Sequence, residues 1–337
     1  MIIEGHNLNK KVFIVAEIGN NHEGNFELAL KMIDEAYSSG VDAVKFQTFI
    51  PELFISKDEK DRLEKLRSFQ FSFDQFYKLF KYAKKKGLVF FSTPLDLESA
   101  KYLNQFQSVF KIASSDNNFL QLIDLVSDFD KNLILSTGLS DEKEIDEIYN
   151  RIFYNWGKKV NSNKLSLLHC VSSYPVPDNE ANLAKIKYLK DRYKKAVIGY
   201  SDHTIGIDCC IYAALLGARI IEKHFTIDKN YSDFRDHQLS ADPNEMKLLV
   251  NKIRKTEIVL GEENNFNQKC ELENKILLRR SIAASRDLNI GQIINSEDLL
   301  WVRPGNGFQS GEEYFLTGKR IKHSLKKGQI ITEEDLC

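Results

Sequence analysis

The chain has 337 residues, enough for about two domains at roughly 150 residues each, or one large barrel with an appendage. Apolar residues make up 42% and charged residues 28%, and 47 basic against 48 acidic side chains leave a formal charge of -1. This balance excludes a broad basic field of the kind that holds nucleic acid, while leaving room for a local anion site. Five cysteines (Cys170, Cys209, Cys210, Cys270, Cys337) are odd in number and lack CxxC spacing, which argues for free thiols rather than a disulfide framework. The N-terminus reads as no signal peptide and no window is apolar enough for a membrane span. Together these features point to a cytoplasmic protein.

In chain order, VFIVAEIG (12–19) is a short apolar run, followed by NFELALKMIDEAYSSG (25–40). There Ala29, Met32, Ile33, Ala36 and Tyr37 recur at helical spacing, with Asn25 as N-cap and Gly40 as stop. VDAVKFQTF (41–49) completes a β-α-β unit. The alternation continues through LVFFSTP (88–94), VFKIASS (109–115), NLILSTG (132–138), KLSLLHC (164–170), AVIGYSD (196–202) and ARIIEKHFT (218–226). Between them, QFYKLFKYAKKKG (75–87) sets Phe76, Leu79, Phe80 and Ala83 on one face. CCIYAALLGA (209–218) reads as a buried crossover helix. Asp242, Pro243 and Glu245 form a capping box that opens a helix over 242–261. Eight strands alternating with helices predict a (β/α)8 TIM barrel. The competing open doubly wound sheet would want a GxGxxG or GxxxxGK[ST] loop after the first strand, where this chain has Glu17-Ile18-Gly19-Asn20-Asn21-His22-Glu23-Gly24.

After Gly261 a polar stretch suits a linker, giving a barrel over 1–262, a linker over 263–277 and a small domain over 278–337. The small domain contains a repeat: LNIGQIINSEDL (288–299) and LKKGQIITEEDL (325–336) match at eight of twelve positions, each with a Gly-Gln turn and a capped acidic turn. Between them, Trp301 to Gly307 forms a rigid turn carrying Arg303. Spacing alone leaves two roles open for this arm, a stabilising appendage or a lid.

Strand C-termini share one mouth in a barrel, and active sites lie there. The residues at these ends are Glu17, Lys45, Gln47, Ser92, Thr93, Lys111, Ser114, Ser136, Thr137, His169, Ser201, Asp202, His203, Glu222 and His224. Two lysines and several hydroxyls make a mould for phosphate or carboxylate. His203 and His224, beside acids on consecutive strands, suit a divalent metal, with imidazole and carboxylate favouring manganese, iron or zinc over magnesium. His169, among Leu167, Leu168 and Cys170, reads as a hydrogen-bonded core residue. Neighbouring strand side chains point to opposite faces, so His169 and Cys170 form no nucleophile pair. The unaided reading is metal-assisted, aldol-like chemistry on an anionic small molecule. A Schiff-base aldolase using Lys45 or Lys111 is the close alternative, and isomerase chemistry stays open.

These residues carry a family likeness. FIVAEIGNNHEGN (13–25), AVKFQT (43–48), FFSTP (90–94), FKIAS (110–114), LILSTG (133–138), LLHCVSSYPVP (167–177), IGYSDHTIG (198–206) and IEKHFT (221–226), with RRSIAASRDLNIGQII (279–294) and VRPGNG (302–307), occur in order along nearly the whole chain. The chain resembles the sialic acid synthase family, N-acetylneuraminate synthase and its relatives for other nonulosonic acids. The resemblance implies a TIM barrel followed by an antifreeze-like (SAF) domain. It implies condensation of phosphoenolpyruvate with an open-chain N-acetylated amino sugar, with release of phosphate. It also implies a domain-swapped homodimer in which each arm covers the other barrel.

By the same resemblance, Lys45, Thr93, Lys111, Ser114, Ser136 and Ser201 form the phosphoenolpyruvate pocket. His203 and His224 hold the metal, usually manganese and sometimes magnesium. Glu17 is the essential acid near the reacting carbons. Gln47, Tyr174 and Asp236 contact the sugar, and Arg303 reaches its N-acyl group across the dimer. The chain departs from the family pattern at Ser115, Gln121, Ser172 and the stretch TIDKNYSDFRDHQLS (226–240). The acceptor stays open between N-acetylmannosamine, its 6-phosphate, and a 2,4-diacetamido-trideoxy hexose as in legionaminic acid synthesis. Other readings are a synthase of 3-deoxy sugar acids, which would lack the tail repeat, and an idle sugar-binding protein, against which the intact Glu17, Lys45, Lys111, His203 and His224 argue.

Overall fold

The computed structural model describes residues 1–157 and 164–337. It divides into two compact units, Met1–Leu260 and Gly261–Cys337. In the first, eight parallel strands form the predicted barrel: β1 Phe13–Gly19, β2 Ala43–Thr48, β3 Val89–Pro94, β4 Val109–Ile112, β5 Asn132–Ser136, β6 Leu165–Cys170, β7 Val197–Asp202 and β8 Ile220–His224. Seven backbone ladders run in the order β3-β2-β1-β8-β7-β6-β5-β4.

The eighth junction is different. β3 and β4 lie side by side, but among the described residues no backbone ladder joins them. There the buried side chain of Gln107 takes the place of a strand. Its Oε1 accepts from the Ser92 N–H at 2.9 Å, and its Nε2 donates to the Ser92 carbonyl at 3.2 Å. A primary amide has the donor and acceptor of a peptide group, so the backbone polar groups of Ser92 stay satisfied inside the protein.

Strand alternation sorts the side chains into two cores. Ile14, Ala16, Val44, Phe46, Phe90, Phe110, Ile112, Leu133, Leu135, Leu167, Ile198 and Ile221 face outward and pack on the helices. Phe13, Val15, Ala43, Val89, Phe91, Val109, Ile134, Leu168 and Ile220 fill the barrel interior, and Met1, Ile3 and Leu8 of an N-terminal ribbon join them. This inner core leaves the polar residues of the strand ends above it. Gly199 makes room within it, since a Cβ there would lie 2.4 Å from Leu168 Cδ2 and 2.6 Å from the Ile220 carbonyl.

The helices form where the apolar spacing and caps predict. α1 (Phe26–Ser38) starts at Asn25, whose side chain accepts from Leu28 N–H. A further helix, α2 (Lys60–Phe69), was not anticipated, and α3 (Phe73–Lys85) follows it with Phe76, Leu79 and Ala83 buried. α4 (Pro243–Leu260) carries the expected Asp242–Glu245 box. Two expectations need adjustment. The helix Asp208–Leu215 buries Cys210, Ala213 and Ala214 but leaves Tyr212 and Leu215 about half exposed, because only one side meets the barrel. The stretch read as a linker contains a helix, α5 (Leu272–Leu278), with no buried residue.

In the second unit, β9 (Ser281–Ala284) pairs antiparallel with β10 (Leu299–Val302). The two sequence repeats pair with each other: Leu288 and Leu325 exchange reciprocal backbone hydrogen bonds of 2.9 Å. Each repeat ends in a boxed 3-10 turn, Asn295 with Asp298 and Thr332 with Asp335. Among the described residues, no helix is long and apolar enough to cross a membrane.

The seam supplies a test. Gln107→Met keeps the volume but strands the N–H and C=O of Ser92, and should lower unfolding free energy by about 2–3 kcal/mol in urea denaturation. A loss below about 0.5 kcal/mol would show that the junction does not depend on this amide.

Candidate active site

Register brings the strand ends together. Glu17 stands in the ladders opposite Lys45 on one side and His224 on the other, and Ser201 stands opposite both Glu222 and Cys170. A cavity of about 710 Å³ opens above them, lined by Glu17, Lys45, Gln47, Thr93, Lys111, Ser114, Ser136, Tyr174, Ser201, His203, His224 and Asp236. All the barrel residues assigned from the sequence thus share one space. Arg303 lies in the second unit, exposed, with its Nε donating to the Leu278 carbonyl at 2.8 Å.

Four charged groups form the floor. Lys45 Nζ is 2.9 Å from Glu17 and 3.6 Å from Glu222, and Lys111 Nζ is 3.8 Å from Glu222. Lys45 also donates to Thr93 Oγ1 at 3.3 Å, and Ser201 donates to Glu222 at 2.9 Å. Burial pushes Glu17 up to about 7 despite Lys45, with Glu222 adding to the rise. Burial acts on Glu222 in the same sense, but Lys111 and Lys45 outweigh it and hold that carboxyl down. Burial lowers Lys111, and Glu222 only partly opposes it. Near neutral pH Glu17 can therefore exchange a proton beside two buried lysines that offer donors to an anionic ligand.

Several buried polar atoms on this cavity have no hydrogen-bond partner in the protein: Ser136 Oγ, Ser172 Oγ, His224 Nδ1 and Glu222 Oε2. Orphans are rare in native interiors, and their convergence on one cavity marks a place for a polar ligand. Gly138 is required by the same geometry. A Cβ there would lie 2.5 Å from Ser172 Oγ and 2.8 Å from Ser114 Oγ, whose hydroxyl accepts from the Gly138 N–H at 3.1 Å.

The two histidines form the metal-competent part. Their ring centroids are 5.3 Å apart, and Tyr174 packs on His203 at 4.3 Å. His203 Nδ1 lies 2.7 Å from the Val171 carbonyl. A carbonyl only accepts, so Nδ1 carries a proton here, and the neutral form of the ring presents its Nε2 lone pair outward, the tautomer a ligand needs. Burial, then the neighbouring His203, keeps His224 neutral by lowering it well below the usual imidazole range. Among the described residues, no set of three or more His, Cys, Asp or Glu groups could enclose a metal. The donors fit a two-imidazole site that leaves positions for water and substrate oxygens.

Four strand-end residues grouped with the mouth in the sequence do not reach it. Asp202 faces outward and pairs with Lys223. Ser92 and Thr48 share a hydrogen bond of 2.7 Å, Thr137 Oγ1 donates to the Leu168 carbonyl, and His169 Nε2 lies 2.8 Å from the Ala181 carbonyl. The cause is parity: on a strand, only every second residue faces the axis.

Sequence reasoning assigned no role to Glu222, although its place between two inward positions of β8 could have shown it. It also missed the outer wall. Phe54, Arg62, Lys65, Leu66 and Phe69 come from the insertion after β2, and Phe234 and Arg235 from the loop after β8. Lys65 Nζ lies over the Phe69 and Phe234 rings at 5.7 and 5.0 Å, and Arg235 lies 4.6 Å over Tyr174. The insertion has no barrel periodicity, so no pattern tied it to the mouth.

Residues 32–265 match the NeuB family and residues 279–336 match the SAF domain. The chain belongs to the NeuB family. It is similar to the N,N'-diacetyllegionaminic acid synthase of Campylobacter jejuni, 37% identical over 338 residues that cover 96% of this chain and 100% of that protein. The protein of the same name from Legionella pneumophila is 36% identical, covering 96% and 94%. Among solved structures, the N-acetylneuraminic acid (sialic acid) synthetase of Leptospira borgpetersenii, bound to citrate, superposes with a TM-score of 0.74 at 35% identity, covering 79% of this chain and 90% of that one. As a NeuB-family enzyme, the protein is a phosphoenolpyruvate-dependent synthase that forms a nonulosonic, sialic-type acid.

Gly138→Ala should displace the Ser114 and Ser172 hydroxyls and lower kcat/KM for phosphoenolpyruvate by up to about 100-fold, the scale of an ångström misplacement in a site. Steady-state kinetics with unchanged KM and kcat would remove this backbone approach from the binding geometry.

Proposed function

We propose that this enzyme condenses phosphoenolpyruvate with a 2,4-diacetamido-2,4,6-trideoxy hexose to give a legionaminic-type acid and phosphate. The observation that carries the reading is the near full-length similarity to two N,N'-diacetyllegionaminic acid synthases. The outer wall supports it: Phe54, Leu66, Phe69, Leu95 and Phe234 offer apolar surface suited to a 6-methyl group and acetamido methyls. N-acetylmannosamine, one of the three acceptors left open by the sequence resemblance, becomes the second reading, favoured by the likeness to the Leptospira synthetase.

Lys45, Lys111, Thr93, Ser114, Ser136 and Ser201 hold phosphoenolpyruvate through its phosphate and carboxylate. His203 and His224 would hold a divalent metal, most naturally Mn2+ with Mg2+ as a substitute. Such an ion supplies Lewis acidity toward the acceptor aldehyde. Gln47, Tyr174 and Asp236 orient the sugar above this floor. C3 of phosphoenolpyruvate forms the new bond to the aldehyde carbon, and positive charge developing at C2 is stabilised by the buried Glu17 carboxylate. Water then adds at C2 and gives its proton to Glu17, which burial places near neutrality. Cleavage of the C2–O bond, with the C2 hydroxyl proton passing to the phosphate as the ketone forms, releases phosphate while the lysines hold the departing anion. The proton on Glu17 returns to the former aldehyde oxygen, which becomes the product hydroxyl.

Arg303 of the partner subunit would reach the sugar's N-acyl group in a domain-swapped homodimer. The exposed apolar side chains Leu272, Ile276, Leu277 and Leu278 of α5 support such an assembly, since they have no cover within their own unit. The cytoplasm is the compartment this reading assigns, in keeping with five free cysteines.

The deciding experiment is phosphate release with phosphoenolpyruvate and three acceptors. The trideoxy diacetamido sugar should exceed N-acetylmannosamine and its 6-phosphate in kcat/KM by at least about ten-fold, the discrimination one or two apolar contacts supply. Preference for either of the others would overturn the acceptor assignment. Chelation should reduce turnover to background, and Mn2+ should restore it. Glu17→Gln should lower kcat by about 10²–10⁴-fold without weakening phosphoenolpyruvate binding in calorimetry, because the substitution removes negative charge from an anion site.

A further inference from the structure

His203 directly follows β7 and His224 ends the adjacent β8, and inside the cavity they meet through ring contacts with each other and with Tyr174. A hydrogen-bonded tie between them lies on the opposite face of the sheet. Asp202 and Lys223, each one residue before a histidine, are ladder partners in the β7–β8 register. Alternation sends their side chains outward as the histidines point inward. There Lys223 Nζ meets Asp202 Oδ2 at 2.7 Å, with both side chains at 0% exposure.

The pair does more than join two strands. Lys223 Nζ also donates to the Thr204 carbonyl at 2.6 Å. Asp202 Oδ1 accepts from the Thr204 N–H at 2.9 Å, from Thr204 Oγ1 at 2.8 Å and from the Tyr200 hydroxyl at 2.8 Å. Cys210 Sγ completes the shell at 3.3 Å from Oδ2. Residues 202 and 204 on either side of His203 are thus bonded to one ammonium group, and that ammonium belongs to the residue preceding His224. The chain on both sides of His203 is hydrogen-bonded to groups anchored on β8 and on Asp202.

A buried ion pair is a costly way to gain stability, because desolvation of both charges opposes their attraction and a packed apolar pair often does as well. What such a pair supplies is direction: each hydrogen bond fixes an atom, whereas apolar contacts permit sliding. Groups behind metal ligands act in this way, and their loss commonly weakens metal binding 10- to 100-fold.

We infer that the buried Asp202–Lys223 pair is a positioning clamp that sets the spacing of His203 and His224 for their metal. This rests on the two-histidine site proposed above. The test uses full-length apo-protein and Mn2+, with free Mn2+ followed by electron paramagnetic resonance and phosphoenolpyruvate affinity measured separately by calorimetry. The double substitution Asp202→Asn with Lys223→Met removes both charges together, so no lone charge is left buried. It should weaken Mn2+ binding about 10- to 100-fold while phosphoenolpyruvate affinity stays within about two-fold. That split would not arise from general loosening of the barrel. Thr204→Val, nearly isosteric, keeps the ion pair but removes one donor, and should weaken Mn2+ about three-fold; it serves if the double variant does not fold. Mn2+ affinity within two-fold of wild type in a folded double variant, or in Thr204→Val where the double variant fails to fold, would overturn the clamp. Mn2+ binding by wild type that survives His224→Ala undiminished would overturn the metal site itself, and the clamp with it.

Discussion

Two lysines and two carboxylates, all buried, share the floor of the barrel mouth, and the rest of the site follows from that. Each charge is tolerable only because an opposite charge stands within 4 Å. The arrangement is not symmetric. Glu222 lies between both lysines and stays ionised, whereas Glu17 meets one lysine and is driven toward its neutral form by burial. One carboxyl thus serves as a fixed counter-charge and the other as a proton-exchanging group, although they are the same chemical unit at similar depth.

Below that floor the barrel is an apolar plug, and its filling fixes the level of the charges. Phe13, Val15, Phe91 and Leu168 occupy the inner positions beneath, so the polar side chains can extend only toward the mouth. Gly138 and Gly199 follow the same logic at two depths. One leaves space for Leu168 in the plug, the other for the Ser114 and Ser172 hydroxyls at the cavity. Neither needs a left-handed backbone; each is a place where a neighbour needs the volume of a methyl group.

The barrel was legible in the sequence because each of its eight strands is a compact apolar run ending in polar residues, with helices between. The site was legible to the same depth, since strand ends are countable, and Glu17, Lys45, Lys111, His203 and His224 do meet. Parity was harder. Asp202 directly precedes its histidine whereas Glu222 lies two residues before its own, so alternation turns one outward and the other inward, a distinction that grouping residues by strand end does not make. The outer wall was not legible at all. Phe54, Arg62, Lys65 and Phe69 lie on an insertion whose helix is charged and mostly exposed, so its place over the mouth is decided by tertiary packing of a few aromatics. The repeat in the small domain was visible as text, but that its halves bond to each other through Leu288 and Leu325 was not.

The junction closed by Gln107 makes the ring unequal in stiffness. Seven junctions resist widening through rows of backbone hydrogen bonds that must break together, while the eighth is held by one side chain with a pair of bonds. Widening of the barrel should therefore meet least backbone resistance between β3 and β4, the strands that carry Thr93 and Lys111. Amide hydrogen exchange should enter the cylinder there first. The cavity wall beside the anion subsite is then its most compliant one, and binding a ligand across Thr93 and Lys111 would brace the ring where its own backbone does not.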